Sequence, residues 1–173
     1  MNEQDLNNTY TIIIEIPKGN VNNKYEYDEQ SGEFRLDFIF ENLAWPYNYG
    51  FFPNTQAGDG DTLDAIVLSS QALKQGQEVE SKIIGMMDVL DRGEEDFKVI
   101  CVPVDDKLSK SLDDITDVTR QQKQEWKDFN LEIARQKKKE LEVRGFINRE
   151  KTLEIIKNSL YLREFFGLSN LRL

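Results

Sequence analysis

Three aspartates, Asp59, Asp61 and Asp64, fall within six positions of the stretch GDGDTLDA, directly ahead of the apolar run IVL. In extended backbone Asp59 and Asp61 share a face, being two apart, and Asp64 lies at the mouth of the strand that follows. Three gathered carboxylates repel one another unless a positive charge sits among them, and a hard divalent cation is the natural occupant. Taken alone, the triplet reads equally as a solvated acidic loop. It is not a calcium EF-hand, because loop positions five and twelve counted from Asp59 are Leu63 and Ser70, neither of them a carboxylate. A second cluster, Asp88, Asp91, Glu94, Glu95 and Asp96, surrounds the turn RGEED, with Lys98 two residues beyond. Asp91 ends one strand and Asp96 precedes the next, so a hairpin turns both toward one pocket. With Glu15 and Glu26 on earlier strands, these loops offer oxygens for several cations. Cations beside lysines and tyrosines suit a polyanion, and phosphate is the commonest one that accompanies magnesium.

The composition narrows the chemistry further. The 173 residues contain no histidine, which excludes histidine-based triads, histidine general bases and histidine-containing zinc sites. The single cysteine, Cys101, lies in the apolar run KVICVPV and reads as a buried structural thiol. Any metal is therefore held by oxygen: magnesium, manganese or calcium. The net charge is −10, and it is unevenly spread, with 23 acids against nine bases in residues 1–116 and nine acids against 13 bases thereafter. An acidic body disfavours nucleic-acid binding, which needs a basic footprint. No apolar run reaches membrane-spanning length, and the polar start MNEQDLNN lacks the features of a signal peptide, so a cytoplasmic protein without a membrane partner is expected.

The elements that must position these residues follow from turn signals and periodicity. TYTIIIEIP, NKYEYD, EFRLDFIF, LDAIVLSS, EVESKIIGMMDVLD and FKVICVPV read as strands, while WPYNYGFFPNT reads as an irregular aromatic segment. SLDDITDV suggests a short helix. From about 119 to 142, Trp126, Phe129, Ile133 and Leu141 form a helical stripe interrupted by KKK, and a last helix starts near the N-cap Asn148. RQKKKE reads as a solvated helical face whose Lys137 to Lys139 are within reach of an anionic neighbour. The apolar end LREFFGLSNLRL is expected to dock on its own subunit or at a subunit interface. Strands first and helices last predict one α+β domain over residues 1–173, with a barrel over about 9–104 and helices packed outside it over about 111–166.

In order and spacing, the blocks IEIPKG, NKYEYD, WPYNYGFFPNT, GDGDTLDAIVL, DRGEEDFKVICVP and EWKDFNLE resemble the soluble family I inorganic pyrophosphatases over roughly residues 9 to 160. The resemblance implies a five-stranded closed barrel of OB type with helices outside. It also implies magnesium-dependent hydrolysis of diphosphate to two orthophosphates, with manganese as an alternative ion, and a homo-oligomer that is a hexamer in bacterial members. By the same resemblance Asp59, Asp64 and Asp96 match ligands of a first magnesium, Asp64 the bridge to a second, and Asp91 and Asp96 ligands of the ion that arrives with substrate. Asp61 matches the carboxylate that takes a proton from the attacking water. Glu15 and Glu26 match acids lining the cavity, in direct or water-mediated contact with metal. Lys24, Tyr49, Lys98 and Lys127 match groups around the phosphates.

Three positions depart from that pattern, all on the phosphate side. Phe38 (or Asp37, counting back from WPYNYG) stands where the family has an arginine, and Trp45 and Trp126 stand where it has tyrosines. Loss of a guanidinium that grips phosphate removes at least one charge-assisted hydrogen bond, about 1.5–3 kcal/mol. Arg35, the nearest arginine in sequence, replaces it only if the strand register shifts. For both tryptophans, core packing outweighs a ligand role. Two readings stand beside the diphosphatase: a divergent hydrolase of another small phosphoanhydride, and a cation- or phosphate-binding homologue with weakened catalysis.

Overall fold

Apolar runs too dense for a half-exposed sheet, IIIEI, DAIV and KVICVP, become strands whose two faces are both covered. The structure is a computed structural model that describes residues 9–57 and 60–169, with side chains through residue 160. Its strands are β1 (Thr9–Ile16), β2 (Val21–Asp28), β3 (Glu33–Ala44), β4 (Asn48–Phe51), β5 (Asp64–Val67), β6 (Glu78–Asp91), β7 (Glu94–Glu95), β8 (Lys98–Pro103) and β9 (Leu141–Asn148). Two helices follow the barrel strands, α1 (Arg120–Gln136) and α2 (Arg149–Ser169). Hydrogen bonding runs β1-β4-β5-β8-β6, and β6 pairs with β1 again, which closes a five-stranded barrel. The α+β class and the closed barrel with helices outside are as expected. No helix among the described residues is long and apolar enough to cross a membrane.

The strand assignment differs from expectation in three places. β2 and β3 form a separate two-stranded hairpin beside the barrel instead of contributing to its wall. The segment expected to be irregular contains β4, a barrel strand whose residues Asn48 to Phe51 are all buried. Leu141, expected to extend the helical stripe, instead begins β9, an antiparallel partner of β6. Here the left-handed Lys138 (φ 53°) ends the helical path and reverses the chain. SLDDITDV shortens to a 3-10 turn at Ile115–Asp117, capped by Asp114.

Alternating residues of the wall sort into two apolar layers. Ile66, Ile100 and Met87 face one layer with Trp45, Tyr47 and Trp126, while Ala65, Val67, Val99 and Ile156 of α2 belong to the other. Cys101 is buried in the second layer, where desolvation pushes its thiol up to about 12. The amide of Asn48, fully buried, accepts from the backbone N–H groups of Lys18 (2.9 Å) and Leu73 (2.8 Å) and ties two loops to one end of the barrel. Asn148 caps α2 by accepting from Lys151 N–H at 3.0 Å, as its residue type suggests. The apolar terminal stretch 162–173 lies outside the described side chains, so the docking expected of it has no counterpart here.

Gly50 marks the tightest approach in the wall: a Cβ there would stand 2.0 Å from the carbonyl oxygen of Ile13 on β1. Neither strand can retreat without opening the barrel. Gly50→Ala is expected to lower stability by about 3 kcal/mol in denaturant titration; an unchanged midpoint would refute this β1–β4 register.

Candidate functional site

The barrel presents its chemistry at one end, because that is where three strand termini coincide. β5 and β8 run parallel with Asp64 opposite Lys98, and β4 ends at Phe51 opposite Asp64. The ammonium of Lys98 consequently reaches Asp64 Oδ2 at 2.9 Å, Asp96 Oδ2 at 3.1 Å and the hydroxyl of Tyr49 at 3.1 Å. Lys98 is only 7% exposed, yet burial is outweighed by the charges of Asp64 and Asp96, and its pKa rises well above the usual lysine value. Asp64 is desolvated but held ionised by Lys98 and Tyr49, below the ordinary carboxylate range. Asp96 is pushed the other way by burial, to which the neighbouring charge of Asp64 adds. Three ionisable groups thus share one ammonium, and the pair that it bridges is starved of positive charge.

A β-bulge supplies the next acid. Between Ile14 and Ile16 the β1–β4 register slips by one residue, which takes Glu15 out of strict alternation and points it into the cleft. Its Oε1 accepts the backbone N–H of Tyr27 at 2.8 Å. Burial raises its pKa to about 8, with Asp64 adding to the rise and the Tyr27 hydrogen bond opposing it. Glu26 ion-pairs with Lys24, which also reaches Asp37 Oδ2 at 3.0 Å. Desolvation works against the charge on Lys24, but Glu26 and Asp37 overcome it and raise its pKa. On the β6–β7 side, Asp91 is bound by Lys139 and by Arg92 Nε at 3.1 Å; despite some desolvation, those cations hold it below the usual range.

One cleft gathers Glu15, Lys24, Glu26, Tyr49, Asp61, Asp64, Asp91, Asp96 and Lys98. Asp59 lies outside the described residues. Lys127 is half-buried on α1 and is not part of the cleft wall; the helix ends instead bring in Lys137 and Lys139, together with Arg92 from the β6–β7 turn. Among the described residues no three carboxylates converge closely enough to cage an ion as the side chains stand. The sequence signal for Lys137 and Lys139 was present in KKK, but helical periodicity gives no hint that the chain reverses at Lys138.

The departures on the phosphate side resolve into packing. Trp126 is buried among Tyr47 and Phe146, and Asn130 Nδ2 donates to both Tyr47 Oη (2.9 Å) and the Trp126 carbonyl (2.8 Å). Trp45 is buried against Tyr49 at 5.3 Å between ring centroids, donates from Nε1 to the Asn23 carbonyl and forms part of the cleft wall. Arg35 does not fill the arginine slot: it pairs with Asp28 at 2.9 Å and is largely exposed. Over the ring of Phe38 lies Lys137, 5.5 Å from its centroid.

The mouth of this closed barrel brings carboxylates and ammoniums together in one cleft. Residues 12–163 match the family model for inorganic pyrophosphatase, and the chain belongs to that family. The inorganic pyrophosphatase of Halalkalibacterium halodurans is 35% identical over 145 residues, covering 83% of this chain and 88% of that protein. That of Synechocystis is 34% identical over 146 residues, covering 84% and 86%. Among solved structures, inorganic pyrophosphatase from Thermus thermophilus superposes with a TM-score of 0.84 at 34% identity, over 91% of this chain and 92% of that one.

The raised pKa of Glu15 has a consequence for stability without metal. A buried carboxyl whose folded pKa exceeds its unfolded value favours folding at low pH, and that contribution disappears as pH climbs from the mid-4s through about 8. In chelator, Glu15→Gln is therefore expected to match the wild type near pH 4 and exceed it at pH 9 by on the order of 2 kcal/mol. Denaturant titrations at both pH values measure this; a difference that does not grow with pH would refute it.

Proposed function

We propose that this chain hydrolyses inorganic diphosphate to two orthophosphates with magnesium as the working ion, on the cleft at the barrel mouth. The observation that carries the reading is Lys98, buried with Asp64 and Asp96 on one side and Tyr49 on the other. Such an arrangement holds carboxylates in a state that demands positive charge, beside a cation that can meet phosphate. The donor set fits a hard dication: every candidate ligand is an oxygen, and Asp64 and Asp96 are already bridged by a single positive centre. Asp59, Asp64, Asp91 and Asp96 would hold magnesium, with Glu15 and Glu26 alongside. The ions supply neutralisation of the diphosphate charge and a more acidic water.

The chain's own groups do the rest. Asp61, on the cleft wall, accepts the proton of the attacking water. Lys24, Tyr49 and Lys98 orient the phosphates and offset the charge that grows on the leaving group. With magnesium bound, Asp64 and Asp96 would share its charge and Lys98 would be available to the phosphates. Lys127, which the resemblance places beside the phosphates, lies outside the described cleft wall. A homo-oligomeric state belongs to the same proposal, supported by the exposed Leu36 and Ile39 on the β2–β3 hairpin. A cytoplasmic setting also belongs to it, supported by the buried unpaired thiol of Cys101.

The test is phosphate release from diphosphate across magnesium concentrations. Wild-type protein is expected to release phosphate, and Asp61→Asn to do so at least about 100-fold more slowly with KM little changed. No release by the wild type at any magnesium level would overturn the function, and near-normal turnover in Asp61→Asn would overturn the role given to Asp61.

A further inference from the structure

Two ammoniums converge on a single carboxylate oxygen at the edge of the cleft. Lys24 Nζ and Lys137 Nζ stand 3.0 Å and 3.1 Å from the same Asp37 Oδ2. Lys24 comes from β2 and Lys137 from the residue that caps α1, so two distant parts of the chain meet here. Both lysines line the cleft, whereas Asp37 does not: it braces them from behind. Phe38 supports Lys137 from below, its ring centroid 5.5 Å from the ammonium. Between two positive charges Asp37 neutralises only one. Glu26, the other partner of Lys24, is 56% exposed and screened by water, so positive charge remains on the cleft side.

The turn that follows α1 explains why Lys137 and not its neighbour points inward. Lys138 adopts φ 53°, so the chain reverses on it; Lys137 and Lys139 fall on the cleft wall and Lys138 is exposed. Lys139 is committed to Asp91, leaving Lys137 as the cation that shares Asp37 with Lys24. A terminal phosphate presents three oxygens, enough to accept from both ammoniums at once.

We propose that Lys137 is a further substrate-binding residue, pairing with Lys24 to grip one terminal phosphate of diphosphate while Asp37 and Phe38 hold the pair in position. This rests on the diphosphate reading of the same cleft. The grip binds phosphate equally before and during the reaction, so its loss acts on KM and not on kcat.

The experiment compares Lys137→Gln, Lys137→Arg and, as a control with the same charge loss outside the cleft, Lys138→Gln. Lys137→Gln is expected to raise KM for magnesium diphosphate about tenfold with kcat within about threefold. Lys137→Arg is expected to recover most of the loss, and Lys138→Gln to stay within about twofold of the wild type. Calorimetric binding of imidodiphosphate, whose P–N–P bridge resists hydrolysis, provides a readout independent of turnover and should weaken by the same factor only in Lys137→Gln. Equal binding by Lys137→Gln and Lys138→Gln would overturn the grip. A wild type that binds imidodiphosphate, loses it in Lys137→Gln, and yet releases no phosphate would overturn the diphosphatase reading while leaving the grip in place.

Discussion

Two carboxylates at the mouth of a closed barrel can share that space only because an ammonium stands between them. Lys98 lies 2.9 Å from Asp64 and 3.1 Å from Asp96, and it is more buried than either. Removing either sign alone would strand a buried charge, a loss of about 3–5 kcal/mol in comparable pairs. The β5–β8 parallel pairing sets Lys98 opposite Asp64, and the β6–β7 turn delivers Asp96 beside both. The cleft is therefore strained in composition though not in geometry: it concentrates acids that want more cation than one lysine provides. A site of this kind is held together at a cost in stability.

The scaffold carries that charge by being rigid elsewhere. Both faces of the barrel wall are packed, and the aromatic group Trp45, Tyr47, Tyr49, Trp126 and Phe129 locks α1 against the strand that carries Tyr49. Asn130 completes the lock by donating to the Tyr47 hydroxyl and to the helix backbone. This packing is what lets the end of α1 bring Lys137 and Lys139 to the cleft at defined positions. It also accounts for both tryptophans without assigning either to substrate. At Phe38, where the resemblance to the pyrophosphatases implies a guanidinium, an aromatic ring lies under an ammonium that arrives from another element.

Much of the site was legible because its residues are chemically unusual for their surroundings. Asp64 before an apolar strand, and Asp91 and Asp96 flanking a glycine turn, announce themselves, since carboxylates gathered at the ends of buried strands need a reason. Glu15 was legible as an acid in an apolar strand, but its direction was not, because a one-residue bulge leaves no mark in composition. The barrel strands with continuous β-branched runs were readable. β4 was hidden by its Pro, Asn and Gly neighbours, and β9 by an apolar residue that happened to continue a helical stripe. Lys127 and Lys137 differ by little in sequence context, yet only Lys137 faces the cleft; the distinction depends on where the helix stops.

The amino-acid order by itself determined the chemistry available here: oxygen ligands without histidine or a second cysteine, an acidic first two-thirds, and a motif order matching one enzyme family. Those properties are local, carried by residue type and short spacing, and they survive in the one-dimensional chain. Tertiary structure alone decided which lysine neutralises which carboxylate, that Glu15 turns inward at a bulge, and that Lys24 and Lys137 share one oxygen of Asp37. Such pairings join residues up to 100 positions apart in number on strands and a helix end. Electrostatic energy depends on distance in space, to which separation along the chain gives no direct guide.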